Sequence, residues 1–68
     1  SEPVPNLGTI WHPISEDPPT GVDLVWLDAN GYSDTGMYYG SGDIESVCTI
    51  QWPEARWWAR LPEDSYGD

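Results

Sequence analysis

The sequence predicts a mainly β fold: a three- to four-stranded antiparallel sheet built on a central hairpin, with an N-terminal Trp/Pro-rich segment packed on it. Three observations carry this. Val22 to Tyr39 holds two apolar, aromatic-rich runs around Asn30-Gly31, a pair that readily takes the left-handed backbone of a type I′ turn. Ile44 to Trp52 alternates apolar and polar residues and is rich in β-branched side chains, the pattern of a half-buried strand. Pro13, Pro18 and Pro19 crowd the stretch before the hairpin, which excludes a helix interior or a central strand there.

The elements follow in order. Residues 1–8 read as a flexible arm, 9–63 as one small β-rich domain and 64–68 as an acidic tail. Ser15-Glu16-Asp17 suits a single helical turn with Pro18 near its first position. Thr20-Gly21 then turns the chain into the hairpin. A two-residue turn at Asn30-Gly31 sets Ala29 opposite Tyr32, Trp26 opposite Thr35, Leu24 opposite Met37 and Val22 opposite Tyr39. One face then collects Val22, Leu24, Trp26, Met37 and Tyr39; the other collects Val25, Leu27, Asp34, Gly36 and Tyr38. Gly40 to Asp43 reads as a loop. A third strand over Ile44–Trp52 places Ile44, Cys48, Ile50 and Trp52 on one side. The expected core is Trp26, Met37, Tyr39, Cys48, Ile50 and Trp52, with Trp11 against the sheet. Arg56 to Leu61 fits either a short helix opened by Pro53 and Glu54, giving a small α+β fold, or a closing strand. In a strand, the adjacent Trp57 and Trp58 fall on opposite faces, leaving one indole exposed.

Length and composition bound the chemistry. A chain of 68 residues is one domain at most, and at this size it buries only about 60% of its unfolded surface. One cysteine forbids an internal disulfide. One histidine and one cysteine are too few for a common zinc site, so no cofactor or metal is expected. Five tryptophans and four tyrosines compensate, each ring burying about 150–250 Å². A free thiol, with no targeting segment and no apolar run near the ~18 residues of a membrane span, points to a reducing cytoplasm.

The chain carries twelve acidic residues, two arginines and no lysine, for a net charge of −10. Such a surface repels nucleic acid and anionic membranes and suits a basic partner; it also keeps an aromatic-rich protein soluble. Three constellations are weak as chemistry. His12 is the one neutral-pH base, but needs a nucleophile or an orienting group in reach. Cys48 lies on an apolar strand face near acids, the opposite of a reactive thiol's surroundings. Asp28 to Asp34 imitates a calcium loop, yet an EF-hand needs Gly at position six and Glu at twelve, where this chain has Ser33 and Tyr39.

Trp11-His12-Pro13-Ile14-Ser15-Glu16, followed by Pro19, Gly21 and a Val/Leu-rich strand, resembles the opening of a short phage and prophage family catalogued as domain of unknown function 551. Trp58, Leu61, Pro62 and Glu63 are similar to its closing motif, Thr-His-Trp-x-Pro-Leu-Pro. Arg56 and Trp57 stand where Thr and His would be, and Arg60 replaces a proline. The resemblance spans Trp11 to Glu63. It implies a phage source and an extended closing segment, and it supplies no activity or catalytic residue.

The expected function is therefore non-enzymatic. The first reading is a phage-encoded interaction protein of the host cytoplasm. It inhibits a host defence or nucleic-acid-processing protein through that partner's basic surface, by nucleic-acid mimicry, without touching nucleic acid itself. The expected contacts are Glu16, Asp17, Asp23, Asp28, Asp34, Asp43 and Glu45, with Trp57 or Trp58 as anchor. The second reading is a virion or assembly component, or a homo-oligomeric module paired through the edge of the third strand or of the closing segment.

Overall fold

The computed structural model describes residues 9–62. The arm at 1–8, the tail at 64–68 and Glu63 of the closing motif lie outside the described residues. The fold is mainly β, with no helix among the described residues. Its strands are β1 (His12–Pro13), β2 (Asp23–Asp28), β3 (Ser33–Gly40), β4 (Asp43–Ile44) and β5 (Ala55–Arg60). They form one open antiparallel sheet in the order β1-β5-β2-β3-β4. The helical turn expected at Ser15–Asp17 is instead a tight turn, in which Glu16 N donates to Pro13 O at 2.9 Å.

The hairpin forms, but its register differs by one residue from the expected one. Trp26 pairs with Asp34, Leu24 with Gly36 and Asp23 with Met37. The cause is Asp28. Its Oδ1 accepts hydrogen bonds from Asn30 N and Tyr32 N, both 2.9 Å, while Gly31 N donates to Asp28 O and Asp28 N to Tyr32 O. A type I′ turn needs positive φ at both central residues. Here Gly31 has φ +91° and Asn30 is not in that region. The result is a three-residue connection, Ala29-Asn30-Gly31, in the pattern of a type I turn closed by a glycine bulge.

A one-residue slip exchanges the faces of a strand. Tyr38 and Gly36, not Tyr39 and Met37, therefore join Leu24 and Trp26 inside. Leu24 and Trp26 are fully buried and Tyr38 is nearly so, whereas Tyr39 is 55% exposed, Met37 is half-buried and Val22 is exposed.

The strand expected over Ile44–Trp52 stops after Ile44. Residues beyond it fold back on themselves. Cys48 N donates to Glu45 O, and Gln51 Nε2 reaches both Glu45 O and Cys48 O, so local partners take the groups that a ladder would use. The alternation still sorts the side chains. Ile44, Cys48 and Ile50 are buried, and Trp52 packs on them. A glycine inside β3 admits this loop: a Cβ on Gly36 would lie 2.7 Å from Cys48 Cβ.

The closing segment is extended, as β5, and lies inside the sheet between β1 and β2. Its register shifts where Leu27 pairs with Trp57 but Asp28 with Ala55. That bulge turns Ala55 inward together with Trp58. The N-terminal segment reaches the core through Ile14 and the buried Pro18; Trp11, expected against the sheet, is half-buried just before β1.

Gly36→Ala should destabilise the protein by about 1–3 kcal/mol, as overpacking of a filled core does. Urea denaturation measures it, and an unchanged midpoint would contradict the close approach of Cys48 to β3.

Candidate functional site

The sheet has two unlike sides. The covered side carries Leu24, Trp26, Tyr38 and Trp58 beneath the 45–54 loop and the segment around Ile14. On the opposite side Ala59 is buried and Val25, Leu27 and Met37 are half-buried; His12 stacks on Trp58 on the core side, so alternation turns the half-buried Trp11 to this side, beside Ala59. Pairing places Val25 beside Thr35 and Ala59, and Leu27 beside Ser33 and Trp57, on that outer side. The expected contact residues distribute over both.

Four of the seven carboxylates are engaged internally. Asp28 holds the hairpin turn. Asp34 accepts from Thr49 N and Thr49 Oγ1, both 2.8 Å, and from Thr35 N at 2.9 Å. The Thr49 amide first, then the Thr49 hydroxyl and the Thr35 amide, holds the Asp34 carboxyl below the usual carboxylate range. Glu45 Oε1 accepts from Met37 N at 3.1 Å. Glu16 accepts from His12 Nδ1 at 2.9 Å. Asp17, Asp23 and Asp43 make no side-chain hydrogen bond among the described residues and are exposed.

Two of these carboxylates also protect an edge. β3 is paired with β4 only near Tyr38 and Gly40, which leaves the amides of Thr35 and Met37 facing outward. Asp34 and Glu45 satisfy those amides, and charged side chains on an edge discourage strand addition. At the other end, β1 covers β5, with Ile14 N donating to Arg56 O at 2.9 Å. Of the two edges named in the second reading, β5 is interior, and the strand expected at 44–52 is reduced to the two residues of outermost β4.

The two candidate anchors separate. Trp58 is buried and does not serve; its ring stacks on His12 at 4.3 Å and its Nε1 donates to Glu16 O at 2.8 Å. Trp57 is 38% exposed on the outer side. His12 thereby acts as a clamp, tying the first strand to Trp58 and Glu16. Cys48 is not near it: His12 lies on outermost β1, and Cys48 packs on Gly36 of β3 with two strands between. Burial, then the Asp34 and Glu45 charges, pushes the Cys48 thiol up, which weakens it as a nucleophile.

A recess of about 710 Å³ lies between the loops at the Gly40 end, lined by Asp17, Pro18, Tyr38, Ser41 and Trp52 among others. Tyr38 and Trp52 stack against each other, 5.3 Å apart at 14°, so their rings pack mutually. No group of three or more His, Cys, Asp or Glu residues that could hold a metal occurs among the described residues. No helix among them is long and apolar enough to cross a membrane.

No family model matches the chain, and no match was found among curated proteins or solved structures.

Sequence reasoning missed the outer face, because it placed Met37 and Tyr39 inside. Gly36 was the available signal. A glycine within a strand often marks a close approach, and this one identifies the face under the loop.

Two predictions follow from these environments. Asp34 binds its proton less readily folded than unfolded, so its stabilising effect is complete above the ordinary value of 3.8 and is lost as pH falls through the lower folded value. The stability gap between wild type and Asp34→Asn should therefore be widest near neutrality and close in acid. Denaturation series at several pH values measure it, and a gap that does not vary with pH would contradict the assignment. Cys48 should resist a thiol reagent such as Ellman's in the native protein and react at once in denaturant; fast native labelling would contradict its burial.

Proposed function

We propose that this protein is a phage-encoded interaction protein, acting in the host cytoplasm without catalysis, that binds and inhibits a basic host protein of nucleic-acid processing or defence. The observation that carries this reading is charge: −10 on 68 residues, with no lysine. Asp17, Asp23 and Asp43 are exposed and make no side-chain hydrogen bond among the described residues, so their charges are available to a partner's Lys/Arg groove. Asp23 and Asp43 sit in strands, which hold their spacing as a nucleic-acid backbone holds its phosphates. Asp28 and Asp34 add charge but are structural, and removing them would confound binding with folding. The resemblance to the phage family supports the source.

Charge-steered association slows and weakens as salt screens it. Immobilised protein should retain a basic, nucleic-acid-binding protein from nuclease-treated host lysate at low salt and release it at high salt. With that partner purified, Asp23→Asn combined with Asp43→Asn should lower the association rate severalfold without shifting the thermal midpoint, and duplex DNA should compete. A partner that binds DNA and this protein simultaneously at full affinity would contradict mimicry.

A further inference from the structure

The side of the sheet opposite the core carries Val25, Leu27, Met37, Trp57 and Ala59, and at one end two carboxylates, Asp23 and Asp43. Its floor is Ala59, which is buried yet stands outside the core cluster of the covered side. Val25 and Leu27 flank it on β2 and are half-buried. Trp57 and Tyr39, at 38% and 55% exposure, stand at opposite corners. Asp23 pairs with Met37 on this same side. Asp43 neighbours the inward-pointing Ile44 and so points outward. Neither arginine joins them. Arg60 pairs with Leu24 on the covered side, and the Arg56 guanidinium is held by Pro53 O and Ala55 O, each at 3.0 Å.

We propose that this face is the docking surface for an amphipathic helix of the partner, apolar along one stripe and flanked by Lys or Arg. The inference rests on the partner being basic, as argued above, and adds where and in what form it binds. A sheet face left apolar is commonly covered by a helix. Strand addition is the competing mode, and the Asp34 and Glu45 caps on β3 and the β1 cover on β5 oppose it. Charge selects the occupant. Among the described residues Asp23 and Asp43 have no side-chain partner and neither arginine is paired with them, so a cationic rim complements them. A second copy of this chain would instead bring two surfaces of net charge −10 together. The apolar stripe of the helix, repeating at i, i+3, i+4 and i+7, would lie over Val25, Leu27 and Met37, with Trp57 as the anchor.

The test uses the full chain labelled with ¹⁵N and a Leu/Lys amphipathic peptide of roughly 18 residues, long enough to hold a helix. Two controls accompany it: the same helix with Glu for Lys, and a scrambled Leu/Lys peptide of identical composition without the helical period. The amides of Val25, Leu27, Met37 and Ala59 should shift with the Leu/Lys helix and with neither control. Trp57→Ala should weaken binding by about tenfold or more, as loss of a hot-spot anchor does. Thr35→Lys, which sets a cation in the middle of the face at an exposed position, should do the same while leaving the thermal midpoint and near-UV circular dichroism unchanged. Equal binding of the scrambled peptide would overturn the docking face and leave the charge-based reading standing. Shifts confined to the recess around Asp17 and Trp52 would overturn it too, as would concentration-dependent shifts at the face without any peptide, which would assign it to a second copy. Failure of every cationic peptide to bind would overturn both the face and the basic-partner reading.

Discussion

Trp26 is the constraint on which the structure turns. Its ring is fully buried, its Nε1 donates to Gly36 O at 3.0 Å, and its edges meet Tyr38 and Trp52. A ring this size, packed on all sides, is worth about 3–5 kcal/mol against truncation, which approaches the whole stability of a small domain, about 5 kcal/mol at the low end. The indole hydrogen bond matters as much as the area, because a buried N–H without a partner is costly. That bond can form only if Gly36 lies across from Leu24, in the observed register. Core and turn therefore specify the same pairing: Asp28 shapes the loop and Trp26 rewards the register that the loop permits.

From that pairing the rest of the sheet is sorted. With Gly36 inward, the 45–54 loop can settle Cys48 directly on the β3 backbone; Asp34 ties Thr49 of the loop to β3, and Gln51 closes the loop on its own carbonyls of Glu45 and Cys48. With β5 beside β2, Trp58 falls opposite Trp26 and recruits His12 and Glu16, so β1 is pinned by a ring stack and a side-chain hydrogen bond rather than by its two residues of ladder. The chemistry-bearing side chains His12, Cys48, Asp28 and Asp34 are thus each explained by a structural duty. Asp17, Asp23, Asp43 and Glu54 have no such duty among the described residues and are exposed.

Much of this was legible in the sequence. The hairpin, the β class and the inward placement of Trp26, Cys48 and Ile50 followed from alternation and turn residues, whereas alternation left the closing segment open between helix and strand. The register did not, because Asn30-Gly31 suits a two-residue turn and only the Asp28 carboxylate, gathering two amides, favours the three-residue loop. The third strand did not, because Gln51 satisfies backbone carbonyls that alternation alone assigns to a ladder. Nor could the sequence decide which of Trp57 and Trp58 faces out; the register of β5 on β2, which sets Trp58 opposite the buried Trp26 and Trp57 opposite Leu27, decides it. The charge that carries the functional reading was plain from composition, whereas the sidedness that places the docking face depended on a single residue of register.

The sidedness of the sheet is the central claim, and hydroxyl-radical footprinting with residue-level mass spectrometry tests it most directly. Trp57, Tyr39 and Met37 should be oxidised in the native protein, Met37 less than its intrinsic reactivity would allow, while Trp26, Trp58 and Tyr38 are protected until the chain unfolds. Protection of Tyr39 and Met37 with oxidation of Tyr38 would restore the two-residue turn, exchange the faces of β3 and contradict the account.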